Sequence, residues 1–192
     1  PATISLRSEK FASDDEVAFS NIVFDDAVPL SSCHQLAIPT DYYIPDWRYL
    51  LKDPENGLLL LKQLDDDSDE VLKQQFYGNE AWRTQTFGAS AQQWTWPVFK
   101  DGVVFGGFNY PPSQYQMHMM KFTAPLTPFH HNKLMRESHC PKDRWFPVKY
   151  VRAILTDLIS NSIQADDVEE QWVELPSGVL HHLNAYDDSA EV

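Results

Sequence analysis

Two hydrophobic rhythms alternate along this chain. Val17–Phe24 and His34–Ile38 carry apolar side chains at every second position, the period of a half-buried strand, and Pro29-Leu30-Ser31-Ser32 reads as the turn joining them. Val103–Phe108 predicts a further strand, with Gly106-Gly107 allowing close backbone approach or a bulge. Tyr115–Phe122 predicts another, which puts Gln116, His118, Met120 and Phe122 on one face because strand side chains alternate. Between these segments the period lengthens. Pro45-Asp46-Trp47 to Lys52 predicts a short helix, and Glu55–Phe76 a longer one with Leu58, Leu61, Leu64 and Leu72 on its apolar side. Pro147 opens a helix over Val148–Ile159, striped by Val151, Ile154, Leu155 and Leu158. Trp172–Leu175 predicts a last short strand.

The polar interruptions divide the chain. Residues 1–13 read as an arm, 14–160 as the folded domain, and 161–192 as an acidic extension ending in a frayed tail. Asp65-Asp66-Asp67-Ser68-Asp69-Glu70 is expected to break the long helix as a solvated connection. It lacks the glycine and closing glutamate of an EF-hand loop. Residues 77–100 hold Trp82, Trp94 and Trp96 with little periodicity, as an insertion whose rings cover a satellite core or clamp a base.

Composition narrows the function classes. The chain has 192 residues, 43% of them hydrophobic, enough for one sizeable core. Its net charge of −13 argues against binding a nucleic-acid backbone or an anionic membrane surface, though a local site can still oppose the global sign. No apolar run is long enough for a transmembrane span and no leader is visible, while Pro1 at the start suits removal of an upstream segment. Cys33 and Cys140 are too few for a disulfide framework, so a cytoplasmic or other reducing compartment is expected. His130-His131 with His139-Cys140 invites a zinc reading, but the tight ligand pairs of structural zinc are missing, and no metal or cofactor is expected. There is no Gly-x-Ser-x-Gly elbow and no phosphate-binding Gly-x-x-x-x-Gly-Lys loop.

Two separated segments carry a resemblance. Phe24, Asp26, Pro29, His34, Leu36 and Ile38-Pro39 are spaced like the N-terminal half of the histidine-triad (HIT) superfamily of nucleotide hydrolases and transferases. Gly107-Phe108-Asn109-Tyr110-Pro111-Pro112, the His118 segment and Thr123-Ala124-Pro125 resemble its C-terminal half, in the branch with a further helix after the triad. Lys133-Leu134 and Trp145-Phe146 fit that extension. The likeness implies an α+β fold: an antiparallel sheet of about five strands, helices packed on one face, and the His118 strand central. It also implies a homodimer.

The triad itself is degenerate. Counting from Ser113, the family's His-φ-His-φ-His pattern falls on Gln116, His118 and Met120, keeping only the middle histidine, the nucleophile. A rival register, aligned on Pro111-Pro112, makes His118 the first histidine and puts Met120 at the attack position. In the favoured register, the likeness implies that His118 attacks a nucleotide's α-phosphorus. It makes His34 the relay partner that fixes the His118 ring, and Ser113 a phosphate donor. Phe24 and Ala27 would line the base pocket, Asp26 would accept from the ribose, and Asn109 would hold the phosphate or leaving group, with Gln116 and Met120 flanking. The expected activity is that of a nucleotidyl hydrolase or transferase on a nucleotide-like small molecule. The alternative, from another class, is a HIT-fold protein that has lost catalysis and serves as a binding or assembly module.

Overall fold

A computed structural model describes residues 6–8, 19–135 and 144–161 of the chain. They form an α+β fold around a six-stranded antiparallel sheet of order β1-β2-β3-β5-β4-β6. The strands are β1 (Leu6–Ser8), β2 (Asn21–Asp25), β3 (His34–Pro39), β4 (Val104–Asn109), β5 (Met119–Thr123) and β6 (Trp145–Pro147). β3 and β5 are central, with His34 opposite Phe122 and Leu36 opposite Met120. β1 arises within the residues read as an arm, and the strand predicted at Trp172–Leu175 lies outside the described residues.

The helices are α1 (Pro54–Leu72), α2 (Glu80–Phe87), α3 (Trp96–Val103), α4 (Pro128–Met135) and α5 (Val148–Asn161). A 3₁₀ helix at Trp47–Lys52 precedes α1, and Asp53 caps α1 by accepting from the Asn56 N–H ahead of Pro54 in the first turn. Gly57 is required where the two meet, since a Cβ there would lie 2.6 Å from the Leu50 carbonyl oxygen. The apolar stripes of α1 and α5 bury Leu60, Leu61, Leu64, Val151, Ile154, Leu155 and Leu158 against Val23, Ala37, Phe108 and Met119 of one sheet face. Trp47 and Phe146 join that core, with ring centroids 4.9 Å apart.

Two expectations are corrected. The acidic run does not interrupt the long helix: α1 passes straight through it, and Asp65, Asp67 and Asp69 are buried. Buried carboxylates need cations or donors, and the tertiary fold supplies Lys121, Lys100, Arg152 and Asn21. The strand predicted over Tyr115–Phe122 begins only at Met119. Ahead of it, Gln116 donates through Nε2 to the Pro39 and Tyr42 carbonyls and the Met117 N–H donates to the Ile44 carbonyl. These bonds tie residues 116 and 117 to the chain leaving β3 and keep them out of the ladder.

The Trp-rich stretch folds as α2, a 3₁₀ turn at Ala89–Gln93, and α3. Asn79 caps α2 by accepting from the Trp82 N–H. Trp82, Trp94 and Trp96 are half-buried around Phe99, which is fully buried. Tyr77, Trp82, Phe87 and Trp96 all pack their rings on Phe99, and Cys33, just before β3, and Leu72 of α1 close the cluster. No helix among the described residues is long and apolar enough to cross a membrane.

Candidate functional site

The register of the ladder sorts the side chains of β5 by face. Met119 and Lys121 turn toward the helices, with Met117 just before them, while Met120 and Phe122 lie on the opposite face with Leu30, Leu36, Phe105 and Trp145. On that second face a row runs from Phe24 through Leu36 and Met120 to Gly107. Extending the register beyond Met119, by one pair against β3 and by two against β4, would align His118 with Ile38 on one side and Asn109 on the other. The sheet therefore sets Phe24, Leu36 and Met120 in one row, with Asn109 bonded to Met120 and His118 one residue ahead of β5.

His118 is half-buried, and its Nδ1 lies 2.9 Å from the Gln116 carbonyl oxygen. A carbonyl only accepts, so Nδ1 carries the proton and, in the neutral ring, the lone pair sits on Nε2. Among the described residues none bonds that nitrogen. Met120 is the contrasting case. Only 8% exposed, it packs with Leu30, Phe122 and Trp145, and its Sδ accepts from Asn109 Nδ2 at 3.1 Å. Gly107 makes this packing fit: a Cβ there would lie 2.6 Å from the Trp145 ring and 2.8 Å from the Phe146 carbonyl oxygen.

The other sequence-derived residues are placed elsewhere. His34 faces Phe122, four residues from His118 and roughly 13 Å along the strand, too far to hold its ring. The relay expected between His34 and His118 is thus replaced by the local Gln116 carbonyl. His34 instead stabilises the β2–β3 turn: its Nδ1 accepts from the Leu30 N–H at 3.2 Å and lies 3.4 Å from Asp26 Oδ2. Asp26 accepts from the Val28 N–H through its other oxygen. Ala27 is exposed on that turn, and Ser113 is exposed on the loop before β5. Gln116 is half-buried, with its amide committed to two backbone carbonyls. Met120 and Asn109 occupy each other, so neither flanking triad position presents a proton donor to His118.

Sequence reasoning passed over the charged cluster on the opposite face. Lys121, 2% exposed, donates to Asp65 Oδ1 at 2.6 Å, to the Asp65 carbonyl at 2.9 Å and to Asp69 Oδ1 at 2.5 Å. Arg152 reaches Asp65 Oδ2 at 3.0 Å, and Lys100 reaches Asp69 Oδ2 at 2.5 Å. Burial pushes the Asp65 carboxyl up, but Lys121, Lys100 and Arg152 outweigh it and hold the group below the usual carboxylate range. Burial drives the Cys33 thiol well above its ordinary range, so it stays a neutral core side chain. The one legible signal was the spacing of Asp65 and Asp69, which share a helix face at i and i+4.

Of the histidines considered for zinc, His130 and His131 lie on α4, while His139 and Cys140 fall outside the described residues. Among the described residues no group of three or more His, Cys, Asp or Glu side chains is arranged to hold a metal ion. Comparison with family models, curated proteins and solved structures finds no match for this chain.

Proposed function

We propose that the protein is a nucleotidyl hydrolase or transferase whose nucleophile is His118 Nε2. The observation that carries this reading is the bond from His118 Nδ1 to the Gln116 carbonyl, which leaves a lone pair on the outer nitrogen of a half-exposed ring. In the proposed reaction Nε2 attacks the α-phosphorus of a nucleotide conjugate, the P–O or P–N bond to the leaving group breaks with its electron pair, and a nucleotidyl-histidine forms. Water or another acceptor then attacks the same phosphorus, returning the lone pair to Nε2. The Gln116 carbonyl stabilises the positive charge that the ring carries in the intermediate. Phe24 offers a half-buried apolar surface for the base on the same sheet face.

The leaving group receives no proton from the triad positions, since Gln116 is committed to the backbone and Met120 to the apolar cluster. The reading therefore specifies weakly basic leaving groups and slow turnover. That observation also favours the second reading, a binding or assembly module of the same architecture. Intact-mass spectrometry after incubation with an adenylated or guanylated conjugate tests the first. A nucleotidyl adduct is expected on the wild type and is expected to vanish in His118→Asn while nucleotide affinity is retained. Affinity without any adduct would leave the module, and no nucleotide binding at millimolar concentration would sink the enzyme reading.

A further inference from the structure

A cavity lies at the edge of the sheet, lined by Lys121 and Arg152 from the helix-covered face and by Phe105 and Trp145 from the other. β6 pairs with β4 only at Gly107–Asn109, so Val104–Gly106 form an outer edge with no strand partner among the described residues. The C-terminal end of α3 and the first turns of α5 flank that edge and enclose a cleft of about 380 Å³. This volume is within the range of small-molecule sites and exceeds what one inorganic ion needs.

The charges around the cleft are unequal. Asp65 and Asp69 direct one oxygen each to Lys121 and the other to Arg152 and Lys100 respectively, so all four carboxylate oxygens already have a cation. Three cations against two carboxylates leave a positive surplus, in a chain whose net charge is −13. Lys149 adds a cation at the mouth, and Asp101 offsets it. No carboxylate of a described residue pairs with Lys149, and Arg152 meets Asp65 through NH2. The first-turn N–H groups of α5 add partial positive charge beside them. Phe105 and Trp145 supply the apolar walls.

We infer that this cleft binds a small molecule bearing one phosphate group on a flat apolar body. Lys149 and Arg152 hold the phosphate at the first turns of α5, and the body lies against Phe105 and Trp145. The carboxylates beneath the cations exclude ligands of higher charge by repulsion and fix the cationic side chains in place. The site is separate from His118, which is not among the residues that line the cleft.

Phenyl phosphate and inorganic phosphate, titrated at low ionic strength with calorimetry and amide chemical shifts, test this. Saturable binding of phenyl phosphate is expected, tighter than inorganic phosphate, with shifts at residues 104–106 and 148–152. Lys149→Gln, an exposed substitution that leaves the buried cluster intact, is expected to weaken it about tenfold, the loss of one charge-assisted hydrogen bond. His118→Asn is expected to leave it unchanged. No saturation below about 10 mM, or equal affinity in wild type and Lys149→Gln, would overturn the assignment. Shifts confined to residues 116–120 would overturn it too, and would assign the phosphate to the proposed catalytic site.

Discussion

Lys121 concentrates the energetics of this fold in one side chain, and Lys121→Met removes its charge while keeping most of its stem. The ammonium is buried on the central strand and holds Asp65 and Asp69 together through bonds of 2.6 and 2.5 Å. Without it, Asp65 retains Arg152 at 3.0 Å and Lys100 at 3.6 Å, and Asp69 retains Lys100 alone. Both Oδ1 atoms lose their cation in a buried setting. Removing one partner of a buried ion pair costs about 3–5 kcal/mol, and the remaining cations place this case near about 3 kcal/mol. With a urea slope of about 2 kcal/mol/M, the unfolding midpoint falls by about 1.5 M. That is a large fraction of the ~5–15 kcal/mol that holds such a domain together. Urea unfolding followed by tryptophan fluorescence measures it, and a cycle with Asp69→Asn isolates the pair, with a coupling of about 2 kcal/mol expected. The triple change Lys121→Met, Asp65→Asn, Asp69→Asn is expected to recover part of the loss, since no buried charge is then left uncompensated. A midpoint shift under about 0.5 M with an unchanged slope, or additive single changes, would refute the reasoning.

Gly107→Ala is expected to destabilise by about 1–3 kcal/mol, because its methyl meets the Trp145 ring and the rigid Phe146 carbonyl; an unchanged melting temperature would show that the sheet edge yields freely. The pH dependence follows from three groups. Asp65 is held below 3.8 when folded, so its contribution is present above that pH and is lost as pH falls through the lower folded value. Asp69 and Asp65 outweigh burial to raise Lys100 above 10.5, so its contribution is present below 10.5 and lost as pH rises through the folded value. Burial pushes Tyr150 up to about 12 from 10.0, which adds alkaline destabilisation that starts near pH 10.0. Stability measured across pH is therefore expected to fall at both ends, and Tyr150→Phe is expected to soften the alkaline fall.

Local patterns determined much of this protein. The alternation around Asn21–Asp25 and His34–Pro39, the strand at Val104–Asn109, the proline-opened helix at Val148 and the leucine stripe of α1 could be read because each depends on neighbours within a few residues. The turn chemistry of Pro29-Leu30-Ser31-Ser32 likewise made β2 and β3 partners. What the tertiary structure decided was where the polar residues go. Four aspartates within six residues read as a solvated break until the register of β5 puts Lys121 beneath α1, an encounter across more than 50 positions of sequence. The same holds for His118. The motif around it predicts a place within a central strand, and the strand begins one residue after it, at Met119. The loss of its expected partner His34 was not legible, because a side-chain contact across a sheet depends on register, and a shift of four residues carries it out of hydrogen-bond reach.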